Sequence, residues 1–493
     1  LSALTNSILS QKFSIQNTTL TIVDNASSDS TVQELKVLTP KFETAGIKFS
    51  LLESKSNLGF GRGHNLAAER GQAPYILIIN PDCELDQACL MDLLNIAKLD
   101  SDEVAAWEPR QLPYEHPKVY NPITGDVSWC SGACLLIRRN AWDKIGGFDK
   151  KIFLYGEDVD LSWRLRDLGY TLHYVPKASV YHHTYENPED VKPAQFIGST
   201  RANLLLRTRF GSFFDIGFGL LLQLRLLFGT KFIIGQRITA VRNLLYWIVT
   251  FIHFRFGASR TIYKPDFLNW DYCQRRKGAF HDCKAGFELK EKPLVSIIIR
   301  SIGKKKYVEA ALKTINNQIY TNIEVIVVED GSCTLEPLIA QYTQYPITYF
   351  YFKNRVGRCK NGNKGIELAK GKYATFLDED DLLYADHVEQ LVAGAEKNAS
   401  SVVYSFGFEL PSKADQEGGI LKEGPLKAQY VNEFSFLTLI KENLFPINTI
   451  LFKRELFEEI GGFDPKIDYL EDWDLWLRMA IIAKPYTCIP RTT

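Results

Sequence analysis

Two acidic pairs, Glu157-Asp158 and Glu471-Asp472, each open a segment with apolar residues at helical spacing: Val159, Leu161, Trp163 and Leu165 in one, Trp473, Leu475, Trp476 and Leu477 in the other. A carboxylate so placed can act as a general base, taking the proton from a hydroxyl as it attacks, provided it lies within hydrogen-bond reach. The helix dipole also favours acids in a first turn, so position alone does not establish a catalytic role. Recurrence of the pair behind Gly146-Gly147-Phe148-Asp149 and Gly461-Gly462-Phe463-Asp464 argues for one. A second acidic set, Asn80-Pro81-Asp82 and Asp378-Glu379-Asp380-Asp381, follows β-branched or apolar runs and aligns as Asp-x-Asp, with Asn in place of the first acid in one copy. Such carboxylates suit a hard divalent cation that bridges diphosphate oxygens, because Mg²⁺ keeps several waters and takes one or two protein carboxylates. Turns are rich in Asn, Pro and Asp for backbone reasons, so neither motif is decisive by itself.

Asp24-Asn25-Ala26-Ser27-Ser28-Asp29 and Asp330-Gly331-Ser332 also follow hydrophobic runs; Asn57-Leu58-Gly59 through Asn65, and Gly357-Arg358 through Asn363, come later. Glycine allows close backbone approach to a ligand, and Asp or Asn can bond to a base or ribose. The G-x-G in Gly59–Gly63 lacks the dinucleotide spacing after a strand and is weak evidence for NAD.

These residues need elements to position them. Leu20–Val23, Ile76–Ile79, Val295–Ile299, Ile323–Val328 and Tyr373–Leu377 read as strands that end at polar or acidic residues, with helical stretches between. That rhythm predicts a doubly wound, mostly parallel α/β sheet with ligands at the carboxyl ends of its strands. The two copies are offset by 315 residues at the glycines and 314 at the acidic pair, too long for a solenoid repeat and fitting duplicated domains. The expected domains are 1–205 and 286–493, joined by a helical segment, 206–285. The Val295 strand lies 35 residues before Asp330, and the same offset from Asp24 falls ahead of Leu1. The first copy is therefore expected to lack its opening strand and the second its end, as in an excerpt of a longer reading frame.

At 493 residues the chain fits two or three domains. Its 58 basic and 58 acidic side chains give no net field toward nucleic acid, and no such partner is expected. Nine cysteines form no CxxC pair, and Cys130/Cys134 and Cys273/Cys283 lack zinc-finger partners, which suits a reducing cytosol. No charged leader with an apolar core opens the sequence. Phe213–Phe228 is interrupted by Asp215 and Arg225, and Leu244–Phe254 is short of the roughly 20 residues of a bilayer span. Arginines among apolar residues over 200–260 fit two readings, an amphipathic helix on the inner face of the plasma membrane or a linker packed on the sheet domains, and both stay open.

Taken in order, these motifs resemble the inverting nucleotide-sugar glycosyltransferases of glycosyltransferase family 2, with the GT-A fold. Val23–Asp29, Asn57–Gly59, Asn80–Asp82, Ser131–Ala133 and Glu157–Leu161 resemble the rhamnosyltransferase-like branch; Val295–Arg300, Glu329–Ser332, Leu377–Asp381 and Glu471–Leu475 carry the likeness in the second copy. The resemblance implies a nucleotide-diphosphate sugar donor bound through Asp24, Asn25, Asn57, Gly59, Asn65, Asp330, Arg358 and Asn363. It implies Mg²⁺ or Mn²⁺ held by Asp82, His182, Asp378 and Asp380. Asp158 and Asp472 would be the bases, Glu157 and Glu471 would position the acceptor, and that acceptor would be a glycan or lipid-linked glycan. Two other readings stay open. A sugar nucleotidyltransferase would use a basic loop such as Arg300–Lys306, although the Glu-Asp element has no task in that chemistry; one copy could instead be a glycan-binding or scaffolding module.

Overall fold

The computed structural model describes residues 1–12, 18–115, 119–183, 192–230, 234–257, 262–267, 281–282, 289, 291–331, 333–415, 418–423, 428–430, 433–467 and 469–491. Ser332, Cys273, Cys283 and much of 258–290 lie outside them. The chain forms two compact units: Leu1–Leu112, Lys118–Asn121 and Gly125–Cys273 in one, Pro113–Pro117, Pro122–Thr124 and Gln274–Thr493 in the other.

Unit one runs α1 (Ser2–Leu9), β1 (Thr19–Asp24), α2 (Thr31–Thr44), β2 (Lys48–Glu53), α3 (Phe60–Ala68), β3 (Tyr75–Ile79), β4 (Cys83–Leu85), α4 (Cys89–Leu99), β5 (Val104–Leu112), β6 (Cys134–Arg138), α5 (Arg139–Ile145), α6 (Glu157–Asp167), β7 (Thr171–His182), α7 (Pro193–Phe210), α8 (Phe213–Phe228) and α9 (Gln236–Phe256). β1 and β2 pair in parallel as a sheet of their own. The remaining strands form a five-stranded sheet in the order β3-β6-β5-β7-β4, parallel only between β5 and β7. Its core gathers Leu93, Trp107, Leu136 and Val180.

In unit two, β8 (Val295–Ser301), α10 (Lys305–Asn316), β9 (Ile323–Asp330), β10 (Ile347–Phe352), α11 (Arg358–Leu368), β11 (Tyr373–Asp378), α12 (His387–Lys397), β12 (Val402–Glu409), β13 (Ala428–Tyr430), β14 (Ile450–Lys453), α13 (Glu471–Ile482) and β15 (Tyr486–Arg491) build one larger sheet. Its order is β10-β9-β8-β11-β14-β12-β13, with β15 on β12. The first four strands are mutually parallel, as the sequence rhythm predicts, while β14 pairs antiparallel with β11 and β12. Period-two alternation sends Val295, Ile297 and Ile299 into one core and Ile298 into the other. Both faces are covered, which is why the run reads as continuously apolar. In unit two β8 pairs with both β9 and β11. Among the described residues of unit one, no strand joins β1 to β3, and this splits its sheet.

Candidate active site

The two acidic pairs sit in the first turns of α6 and α13, each after a residue in the left-handed region: Gly156 at φ 84° and Leu470 at φ 61°. The same buttress holds both turns. Asn65 donates to the Phe148 carbonyl and accepts from the Phe148 N–H, both at 2.9 Å, and Asn363 does the same to Phe463 at the same distances. Arg164 donates to Asp160 (2.7 Å) and to the Ile145 carbonyl (3.0 Å); Arg478 donates to Asp474 (2.9 Å) and to the Ile460 carbonyl (3.0 Å). The Gly-Gly-Phe-Asp turn and the acidic helix are therefore one fastened piece in each unit. Asn65 and Asn363, expected at the donor, have both ends of their amides engaged in it.

In unit one the Asp158 carboxylate accepts from Val159 N (2.8 Å) and Gly132 N (3.1 Å). The next carbonyl, that of Ala133, accepts from Asn80 N (2.9 Å) and Cys83 Sγ (3.4 Å). The Ser131–Ala133 loop thus touches the carboxylate of Asp158 on one side and the turn bearing Asp82 on the other. Tyr155 lies near Glu157 and Asp82: burial raises its pKa, and the charges of Glu157 and Asp82 raise it further.

Asp82, Cys83 and His182 bring one ligand atom each within 4.8 Å of one another, the one such group of His, Cys, Asp and Glu among the described residues. β4 pairs antiparallel with β7 and sets Cys83 opposite His182, whose Nε2 lies 3.5 Å from Asp82 Oδ1. Nδ1 of His182 meets Gln111 Oε1 at 3.0 Å. With Nδ1–H donating there, Nε2 keeps its lone pair toward Asp82, the orientation a metal ligand needs. Burial, then the Asp82 charge, pushes the Cys83 thiol up to about 12, which keeps it a neutral thiol. The donors that remain, a carboxylate oxygen and an imidazole nitrogen, fit a divalent cation, Mn²⁺ more readily than all-oxygen Mg²⁺. Glu157 is buried beside Asp158; burial and then that neighbouring charge push its pKa up to about 8.

Unit two uses other partners. Arg300, buried at the end of β8 and in register with Asp378 of β11, grips both oxygens of Asp378 (2.7 and 2.8 Å) and reaches Glu471 at 3.1 Å. Burial works against its charge, but Asp378 and Glu471 hold it protonated well above the usual range. Asp378, expected as a metal ligand, is here an ion-pair partner, and Asp380 is the exposed carboxylate of the motif. Although its surface is open to solvent, partial desolvation of the Asp380 carboxylate, then the charge of Asp378, raises its pKa. Asp472 accepts from Asn443 Nδ2 (2.9 Å) and Trp473 N (2.8 Å), and burial raises its pKa in spite of those bonds.

The expected donor-binding residues organise the loops after the first strands. Asp24 accepts from Ser27 N (3.3 Å); Asn25 accepts from Leu58 N (2.6 Å) and donates to the Gly59 carbonyl (3.2 Å); Asn57 accepts from Gly59 N (2.9 Å). Gly59 has φ 80°, and a Cβ there would lie 2.4 Å from the Phe153 carbonyl. Asp330 accepts from Val356 N (2.7 Å) and Gly357 N (3.1 Å), and Arg358, more than half exposed, lies 3.6 Å from Glu471. Sequence reasoning missed Gln111, Asn443 and the role of Arg300. An arginine closing an apolar strand was the one available signal for the last of these.

The family model described as "Glycosyl transferase family 2" matches residues 1–146 and 296–460, and "Glycosyltransferase like family 2" matches 122–196. An uncharacterized glycosyltransferase of Rickettsia typhi is 34% identical over 197 residues, covering 39% of this chain and 61% of that protein. The N-acetylglucosaminyl-diphospho-decaprenol L-rhamnosyltransferase of Mycobacterium tuberculosis is 29% identical over 208 residues, 33% of this chain and 65% of that protein. The chain thus spans less than two thirds of the length of these relatives. A solved structure of S. aureus TarS 1-349 overlaps 40% of this chain and 59% of its own, at 17% identity and a TM-score of 0.33.

Proposed function

This chain belongs to glycosyl transferase family 2, and we propose that it carries two inverting active sites that move sugars from nucleotide-diphosphate donors to a growing surface glycan. The catalytic domains of this reading are 1–205 and 286–493. Asp158 in the first and Asp472 in the second take the proton from an acceptor hydroxyl as its oxygen attacks the anomeric carbon from the face opposite the nucleotide. The raised pKa of Asp472 makes it a stronger base than an unperturbed aspartate. Burial and the Asp158 charge push Glu157 up to about 8, so it can itself donate a hydrogen bond beside Asp158. Asp82 and His182 would hold Mn²⁺ or Mg²⁺, which neutralises charge developing on the leaving diphosphate. In unit two Asp380 would take the ligand role, while Arg300 keeps Asp378 and Glu471 in place.

The observation that carries the reading is the Ser131–Ala133 loop, bonded to Asp158 at one residue and to the Asp82 turn at the next. A base and a leaving-group anchor on two sides of one short loop suit in-line displacement. The acceptor would be a glycan or lipid-linked glycan at the cytoplasmic face of the plasma membrane. To test it, the full chain is incubated with a panel of nucleotide sugars, acceptor glycans and Mn²⁺, and nucleoside diphosphate release is followed. Asp158→Asn and Asp472→Asn should each lower one linkage by about 10²–10⁴-fold; if neither alters any transfer, the assignment of bases is wrong.

A further inference from the structure

α8 and α9 bury polar groups toward unit one beside a few apolar ones, Ile216, Ala240 and Phe254, and carry a second apolar face outside. Toward the body of unit one they turn Gln223, Gln236, Thr239, Asn243 and Thr250, all buried. These groups are bonded there: Gln223 donates to the Thr200 carbonyl (2.7 Å), Gln236 to the Leu226 carbonyl (2.8 Å), and Asn243 accepts from Arg201 (3.0 Å). Outward, at steps of three, four and seven, α9 shows Ile238, Leu245, Ile248 and Ile252 at 59–75% exposure, and α8 adds Phe214 and Leu221. A helix whose apolar residues all faced its own domain would leave no such outer stripe. An exposed apolar face of this extent marks an interaction surface.

Charge says which. The chain as a whole is balanced, yet residues 201–257 hold eight Lys or Arg and one acid, Asp215, and although Arg207 and Arg209 are buried in α7, the basic excess stands on α8 and α9 as well. That carboxylate is engaged by Ser212 in a capping box at the start of α8. Arg225, Arg237 and Arg242 are exposed on the same two helices. A second copy docking here by two-fold symmetry would set this cationic rim against itself, whereas anionic headgroups would complement it. Among the described residues no helix is long and apolar enough to cross a membrane, so contact must be in plane. At 21 residues α9 offers about 30 Å of contact.

We propose that α8 and α9 form a docking face for an anionic lipid surface, with the apolar stripe sunk among the acyl chains and the arginines at headgroup level. The proposal rests on the sugar-transfer reading only for its purpose, bringing unit one to a lipid-borne acceptor. α7 ties the face to the site: its Arg209 is ion-paired with Asp149 (2.5 Å) and with Asp160 of α6, and His253 of α9 meets Asp149 at 2.8 Å.

The test is flotation of the full chain with phosphatidylcholine vesicles, with and without phosphatidylglycerol, and with no donor or acceptor added. Binding should require phosphatidylglycerol, weaken at high salt, fall about fivefold for each of Arg237→Gln and Arg242→Gln, and fall at least about tenfold in Ile248→Glu/Ile252→Glu. These positions are exposed, so the variants should keep the thermal midpoint and soluble-acceptor transfer of the parent. Absence of vesicle binding by the folded chain, or binding indifferent to phosphatidylglycerol, overturns the proposal. So does a stable dimer that Ile248→Glu dissociates, which would make this a face between copies. Sugar transfer is read separately on a soluble acceptor, so each reading can fail without the other.

Discussion

Glu157 and Glu471 hold the same place in the same motif, and their surroundings differ. Among the described residues no cation pairs with Glu157, and burial leaves it protonated up to about pH 8. Glu471 faces Arg300, which also grips Asp378. Unit one has a buried arginine too, but Arg209 comes from α7 and pairs with Asp149 and Asp160. Burial would raise Asp149, yet Arg209, the Lys151 N–H and His253 bring it down to about 2. The backbone buttress, made by Asn65 or Asn363 and Arg164 or Arg478, is the same in both. Duplication here has kept the mechanical support of the acidic turn while the electrostatic support is drawn from different elements.

That contrast can be broken at several points. Removing either central arginine has the largest expected effect: Arg300→Ala takes from Asp378 its bidentate partner and from Glu471 its nearest cation and should cost about 3–5 kcal/mol, while Arg209→Ala, which leaves Asp160 to Arg164 and Asp149 to His253, should cost less. Urea unfolding measures it, and a loss confined to one arginine would mean the other pair is incidental. The shared buttress should respond equally in both units. Asn65→Ala and Asn363→Ala each leave backbone groups of a Gly-Gly-Phe turn unmatched, for about 1–3 kcal/mol apiece; a clear inequality would show that the two turns are not held alike.

A smaller effect lies in pH. Between about pH 4.5 and 8 the unfolded chain has released a proton that folded Glu157 retains, so unit one loses stability as pH rises across that window. Glu157→Gln should flatten the slope, visible as a thermal midpoint that falls at least about 2 °C less between pH 5 and pH 8. An unchanged slope would place the proton elsewhere.

The smallest difference concerns the left-handed residue before each pair. A Cβ on Gly156 would lie 2.3 Å from the Ala202 Cβ of α7, whereas Leu470 is exposed. Leu470→Gly should therefore be neutral to stabilising, within about 1 kcal/mol. Gly156→Leu should be strongly destabilising in the same denaturation assay, and a mild outcome there would mean that α7 does not press on the turn.

Much of this was legible in the chain. The strands ending in Asp24, Asp330 and Asp378, the glycine loops behind them and the duplicated Gly-Gly-Phe-Asp with its acidic helix all show in local pattern, because strand period, turn chemistry and helix-start acids are short-range properties. Parallel pairing was read correctly among β8, β9, β10 and β11, while β14 beside β11, and β3 beside β6 in unit one, pair antiparallel through returns that local periodicity does not reveal. The arginine-rich stretch after residue 200 left two readings open, since periodicity shows a stripe without showing which side of the helix is covered.

The sequence by itself determined which acids exist, where they fall on strands and helices, and that the set occurs twice. Only the tertiary structure decided which acid meets a cation: Arg300 and Glu471 are 171 residues apart, as are no local elements, and Arg209 reaches Asp160 across 49. Ion pairing and desolvation depend on distances through space and on excluded water, so the same Glu-Asp pair becomes a buried neutral acid in one unit and an arginine's partner in the other.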